Sequence, residues 1–279
     1  MKFEFYLNKY NLCKLRMVII MRQPVVSTIY QAIDAFAPFA SALPYDNAGL
    51  LVGDGNIPVT GVALGLDLTC ELIEYAHSQR CNLIITHHPV IFQPVRRISV
   101  HHPVYQLARY GMNAICAHTN LDAAAGGVND VLAQAIGLEQ VEPLADPEFP
   151  NHPPIARIGW LAQEQTAHEL ASHVRMVLSV DAVGYADAGR RIRRVAVCGG
   201  AGGDLIAPAL SSGAQALITA DLRHHELLDA VSAGLTVLDG GHFATERLVM
   251  RPLCERLSGL FAETPMHLFE PENPLRFAT

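Results

Sequence analysis

Apolar positions recur at helical spacing from Ser27, with Ile29, Ile33 and Phe36 on one face until Pro38, whose ring ends the helix. In PYDNAGLLVGD, residues 44–54, Pro, Asn and Gly mark a turn into a short apolar strand from Leu50 to Val52. Val59 to Leu66 reads as a buried strand, Thr69 to Ser78 as a helix directing Leu72, Ile73 and Ala76 inward, and Leu83 to Thr86 as a second buried strand, together a βαβ unit. Helix 103–110, strand 113–117 and helix 128–136, closed by Gly137, continue the alternation that a mostly parallel sheet requires. Between Ala145 and Pro154 lie four prolines among polar residues, the pattern of a linker. A strand at 155–161 then leads into a helix from Thr166, where a capping box with Glu169 precedes the stripe Leu170, Val174, Val177 and Leu178.

A weak internal repeat organises these elements. Val62-Ala63-Leu64, Ile73, Ala76 and Leu83-Ile84-Ile85-Thr86 return, without a gap, as Val195-Ala196-Val197, Ile206, Ala209 and Ala216-Leu217-Ile218-Thr219. The fold class expected is α/β: two similar, pseudo-symmetric α/β lobes with mostly parallel sheets and a ligand cleft between them. The expected division is a disordered extension over 1–24, a first lobe over 25–144, a linker over 145–154 and a second lobe over 155–279, with 237–279 packing back near the first. Translation is expected to start at Met17 or Met21, because Met21 opens the first well-patterned segment.

Of the 279 residues 50% are hydrophobic and 17% charged, which suits a globular chain, and no apolar run reaches the ~18 residues of a membrane span. The net charge of −7 disfavours a nucleic-acid partner. The basic run Arg190, Arg191, Arg193 and Arg194 reads as a solvated loop before a strand, with DNA contact there as the competing reading. The six cysteines are dispersed without a C-x-x-C pair, so a reducing, cytoplasmic setting is expected. The run Met17 to Met21 is too short for an export signal.

The chemistry gathers where apolar runs end: ITHHPVIF, AHTNLDAAAGGVND, ITADLRHHELL and DGGHFATE each deliver a histidine or an acid to a loop. Open α/β sheets bind ligands outside the carboxyl ends of their strands. His87 and His88 can reach one site only if the chain has left the sheet, which Pro89 favours. Asp122 is a bridging carboxylate or a helix cap, and His242 and Glu246, at i and i+4, share one face if the chain turns helical. His101-His102 reads as a surface turn. His87, His88, Asp122, His242 and Glu246 together suit two divalent metal ions such as Zn, Fe, Mn or Ni. Asp46 and Asn47 are placed for a site or for a plain Asx-turn, and G-G-A-G-G at 199–203 for an anion-binding or a tight turn.

In this order, PYDNAGLLVGD, ITHHPVIF, AHTNLDAAAGGVNDVLA, ITADLRHHELLDA and DGGHFATE resemble the Nif-three-like dinuclear metal-centre family, often labelled GTP cyclohydrolase I type 2 homologues, over residues 25–275. The resemblance implies metal ligation by His87, His88, Asp122, His242 and Glu246, and matches His118 to a further histidine beside the metals. It also implies a toroidal homohexamer with sites facing the inner cavity, and a short form without the middle domain of some relatives. The expected function is a dinuclear metal-dependent hydrolase that acidifies a shared water to attack a nucleotide or cyclic amide-type substrate, GTP included. His118 would transfer protons, and Asp46, Asn47, Asp221 and His224 would hold substrate. The alternative is a metal-binding assembly protein, a carrier or regulatory scaffold, without turnover.

Overall fold

Two β-sheets carry the chain in the computed structural model, which describes residues 23–276 and 278. The first half runs α1 (Val26–Asp34), β1 (Gly49–Val52), β2 (Val62–Gly65), α2 (Cys70–Ser78), β3 (Leu83–Thr86), α3 (Pro103–Tyr110), β4 (Asn113–Cys116), α4 (Thr119–Ala123) and α5 (Val128–Ile136). Next come β5 (Glu139–Leu144), β6 (Ala156–Gln165), α6 (Ala167–Leu178), β7 (Gly184–Ala186), β8 (Ile192–Ala201), α7 (Ile206–Ser211), β9 (Ala216–Ala220), α8 (His224–Ser232) and β10 (Thr236–Asp239). The chain closes with α9 (His242–Glu246), α10 (Met250–Leu260) and β11 (Met266–Leu268).

The first sheet has the order β1-β4-β3-β2-β11 and is parallel apart from β1. Its central strands are buried on both faces, which is why they read as unbroken apolar runs. Leu64, Leu83, Ile85 and Ile115 pack on one side against Ile29 and Ile33 of α1 and Leu253 and Leu257 of α10. Ala63, Ile84 and Ala114 face Leu72, Ile73 and Leu107 of α2 and α3 on the other. The second sheet, β5-β6-β8-β9-β10-β7, repeats this layering on β8, β9 and β10, with α5 and α6 on one face and α7 and α8 on the other. It is mixed rather than mostly parallel, because β5, β6 and β7 pair antiparallel. The capping box of Thr166 and Glu169 is formed as expected.

The repeat is structural down to its register. Val62 pairs with Leu83, Ala63 with Ile84 and Leu64 with Ile85; after a shift of 133 residues Val195 pairs with Ala216, Ala196 with Leu217 and Val197 with Ile218. The halves diverge next, since Leu83 meets Asn113 whereas Ala216 meets Thr236, a step ten residues shorter. The first half spends the difference in the loop between β3 and α3, which carries Phe92.

The Pro-rich stretch 145–154 does not divide the lobes. It joins β5 to β6 inside the second sheet, where Leu144 pairs with Ala156. The prolines mark a solvent-facing turn; the crossing between lobes is α5, whose Val128 enters the first core and whose Leu132, Ala133 and Ile136 enter the second. Residues 237–279 likewise split, β10 staying in the second sheet and α10 with β11 joining the first lobe. The expected extension over 1–24 lies outside the described residues apart from Gln23 and Pro24. Of the basic run, Arg191 pairs with Glu169, and Arg194 pairs with Glu142 and covers the Trp160 ring. Among the described residues no helix is long and apolar enough to cross a membrane.

One buried cation ties these pieces together. Arg157, 5% exposed, pairs with Asp130 of α5 and donates to the carbonyls of Ala123, Ala124, Pro154 and Ala156. Removing it takes the ion-pair partner from Asp130, which among the described residues keeps only the Gly126 N–H, and the donor from the buried carbonyls of Ala124 and Ala156. Arg157→Ala is expected to cost about 3 kcal/mol of unfolding free energy in denaturant titration, and Arg157→Lys to recover only part of it, because lysine lacks the guanidinium fork.

Candidate metal centre

Strand ends from both sheets meet at one place. β3 stops at Thr86, so His87 and His88 leave the sheet and turn to the same side, as the following proline suggested. β4 ends at Cys116 and delivers His118, after which the single turn of α4 presents Asp122. From the second lobe, β10 leads through Gly240 and Gly241 into the short helix α9, where His242 and Glu246 share a face.

Each imidazole is built alike. His88 Nδ1 donates to Asp67 Oδ1, His118 Nδ1 to Asp46 Oδ1 and His242 Nδ1 to Asp221 Oδ2, all at 2.7 Å, while His87 Nδ1 donates to the Ala117 carbonyl at 2.9 Å. Holding every ring at Nδ1 aims Nε2 inward, the arrangement that orients metal-binding histidines. The Nε2 atoms of His88 and His242 stand 3.3 Å apart, and Glu246 Oε2 lies 2.8 Å from the first and 3.1 Å from the second. His87 Nε2 is 3.6 Å from both Asp122 Oδ1 and Glu246 Oε1.

The donors fit a metal. His87 Nε2 and Asp122 Oδ1 are buried without a hydrogen-bond partner, and a buried polar atom left unanswered is costly. Ligand atoms of His87, His88 and His118 lie within 4.8 Å of one another, as do those of His88, His242 and Glu246. His118, expected beside the metals as a proton-transfer group, is thus also close enough to the other donors to hold an ion. Backbone makes room as well. Gly200 has φ +66°, and a Cβ there would lie 2.2 Å from Glu246 Oε1. The N–H groups of Gly199 and Gly200 donate to Asn129 Oδ1 and Thr245 Oγ1, so these two glycines serve close approach to Glu246 and not anion binding.

Charge follows from this packing. Burial opposes a charge on His88, but the Asp67 and Glu246 carboxylates outweigh it and push its pKa up to about 10. The Glu246 hydrogen bond, against partial burial, carries His242 up to about 9. Burial raises Asp122 to about 6 against the pull of His87, whereas the imidazoles hold Glu246 well below the carboxylate range despite its burial. Burial would raise Asp46 too, yet its bonds from His118 and Thr119 bring it down to about 2.

Of the residues expected to hold substrate, Asp46 and Asp221 accept from His118 Nδ1 and His242 Nδ1, and Asn47 donates to the Ile91 carbonyl. His224 opens α8 on the exposed surface and does not line the cleft. Sequence reading missed Asp67, although it follows the end of β2 just as the other groups follow theirs. His88, His118, Asp122, His242 and Glu246 form the floor of a cleft of 440 Å³ walled by Tyr45, Phe92, Ile155 and Ala201, with His87 fully buried.

Two tests follow. Gly200→Ala forces the Glu246 carboxylate aside, and elemental analysis of the variant is expected to show metal affinity roughly tenfold lower. Second, His88 and His242 carry protons at pH 7 in the metal-free chain, whereas a ligating imidazole is neutral. Against its burial, Asp122 and Glu246 raise His87 as well, so metal uptake should release at least about two protons per chain, read as a buffer-dependent enthalpy in titration calorimetry. Because both pKa values lie above the ordinary 6.5, the stability these contacts lend the metal-free chain is complete below pH 6.5 and is lost as pH rises through 9 and 10.

Comparison with known proteins gives the family and the fold. The chain is 30% identical over 240 residues to a protein of Clostridium acetobutylicum named GTP cyclohydrolase 1 type 2 homolog, covering 84% of this chain and 90% of that one. A Bacillus subtilis protein of the same name, 27% identical, aligns over 342 positions with 83% of this chain, so it carries an insertion that this chain lacks. The crystal structure of a Bacillus cereus protein related to NIF3 superposes with a TM-score of 0.83 at 24% identity, over 92% of this chain and all of that one, which shows the shared fold. The family model described as Duf34/NIF3 (NGG1p interacting factor 3) matches residues 24–273, and the chain belongs to that family.

Proposed function

We propose that this protein is a metal-dependent hydrolase that holds two divalent ions per chain and adds water across a C–N bond in a cyclic amide or amidine. The observation that carries this reading is the convergence of four imidazoles, each held at Nδ1, with two buried carboxylates at and beneath the floor of an open cleft. A carrier needs donors and an exit; a cleft of 440 Å³ above the donors gives room for a substrate as well. The name borne by the Clostridium relative, GTP cyclohydrolase 1 type 2 homolog, points to the same reaction class.

When bound, the ions would supply Lewis acidity and an acidified water. His87, His88, His118, Asp122, His242 and Glu246 would hold them, and Asp46, Asp67 and Asp221 would keep the rings in place. In the reaction the water oxygen bonds to the ring carbon, the C–N bond breaks, and the nitrogen leaves with a proton. Assembly into a ring of six belongs to the same proposal; the exposed apolar side chains Val95, Ile98, Val100 and Tyr105 are the type of surface such an assembly would cover.

The test joins elemental analysis to turnover on a panel of cyclic amides and amidines. Wild-type protein is expected to contain two ions per chain and to turn over at least one member of the panel. His118→Ala should lose both turnover and metal. Retention of both ions with turnover abolished would return His118 to proton transfer, and full occupancy with no turnover across the panel would leave a metal carrier.

A further inference from the structure

Two acids, Asp122 and Glu246, line the cleft floor, and three more stand behind its imidazoles. Asp122 and Glu246 stand among the imidazoles, and Asp46, Asp67 and Asp221 each grip one of them, so five carboxylates surround the donor nitrogens. Even two divalent ions would leave this assembly one charge negative. Further out, and adding to burial, Asp204 pushes the Tyr45 hydroxyl's pKa up, and Asp146 does the same to the Cys198 thiol against the pull of Arg157.

Cations to offset it are missing from the walls. Among the described residues neither lysine nor arginine lines the cleft. Arg157, whose charge reaches Cys198, is buried and engaged by Asp130 and four carbonyls. Arg223, beside Asp204, is paired with Glu226. Arg96 and Arg97 are exposed on the loop that carries Phe92, but outside the lining. A phosphate entering here would meet like charge in a partly desolvated space.

The walls favour another kind of ligand. Tyr45 and Phe92 are 55% and 45% exposed, large values for aromatic rings at the mouth of a cleft. The Phe92 ring stands at 86° to His118, 6.2 Å between centroids. Exposed rings above a polar floor suit the face of a planar heterocycle, whose edge then addresses the floor.

We propose that the cleft selects an uncharged, planar nitrogen heterocycle of nucleobase size and discriminates against its phosphorylated forms. This rests on the hydrolase reading for the position of the reacting ring. Tyr45 and Phe92 provide the stacking surface, and the five carboxylates provide the charge discrimination.

Equilibrium dialysis of the metal-loaded protein against guanosine and guanosine monophosphate tests it, with metal content measured before and after. Guanosine should bind roughly tenfold more tightly at low salt, and the gap should narrow in ~1 M salt, where like-charge repulsion is screened. Tyr45→Ala and Phe92→Ala, both at exposed positions, should each weaken guanosine several-fold with metal content unchanged. Equal or tighter binding of the monophosphate overturns the charge selection, and loss of that advantage in Arg96→Ser or Arg97→Ser would identify the cation responsible. No guanosine bound by a metal-replete chain overturns the heterocycle. Failure to load metal, read separately by elemental analysis, counts against the hydrolase reading alone.

Discussion

A carboxylate taken out of water must be answered by a cation or by hydrogen bonds, and Glu246 and Asp122 are taken out almost completely, at 3% and 7% exposure. Much of the local architecture follows from that demand. Three histidines place Nε2 within 3.6 Å of the Glu246 oxygens. Each of those histidines needs an acceptor on its far side to stay oriented, which calls for Asp67, Asp221 and the Ala117 carbonyl. Glycine is required at 200 because Glu246 occupies the space a side chain would take. Imidazolium contacts at 2.8 and 3.1 Å answer Glu246 in the metal-free chain but leave Asp122 Oδ1 without a hydrogen bond, and divalent ions would answer both by displacing those protons.

The pseudo-symmetry explains how one chain gathers so many donors. Each βαβ half ends its strands at the same level, so a polar residue placed after a strand arrives in the same cleft from either lobe. The two halves then use the position differently. His88, directly after the first β-α-β, is a candidate ligand; its counterpart 133 residues on is Asp221, which holds His242 by Nδ1. Asp221 takes φ +56°, a left-handed conformation that aspartate tolerates better than most residues. Duplication thus yields a ligand in one lobe and its supporting group in the other.

The same charge balance bears on what the cleft admits. Supporting imidazoles with carboxylates instead of amides makes the ligands more basic, and it also loads the neighbourhood with negative charge. A chain that uses aspartate for three of four supports makes its cleft a poor host for further anions.

Much of this was legible in the residues themselves. Unbroken apolar runs such as Leu83 to Thr86 announced doubly covered strands, the 133-residue repeat announced two related halves, and His87 and His88 follow such a run directly while Asp122, His242 and Glu246 come within seven residues of one. Local signals suffice there because burial pattern and strand termination are properties of short segments. Other features were not local. The prolines of 145–154 signal a turn but not which strands it joins, and only the pairing of Leu144 with Ala156 puts it inside the second sheet. Asp46 lies 72 residues from His118 and Asp221 lies 21 from His242, so their roles as supports, and the approach of His118 to the other donors, depend on folding distant strand ends to within 2.7 Å. Composition and periodicity set which groups reach the strand ends; hydrogen-bond partners, being short-ranged and indifferent to chain distance, are settled only when both lobes have packed on α5.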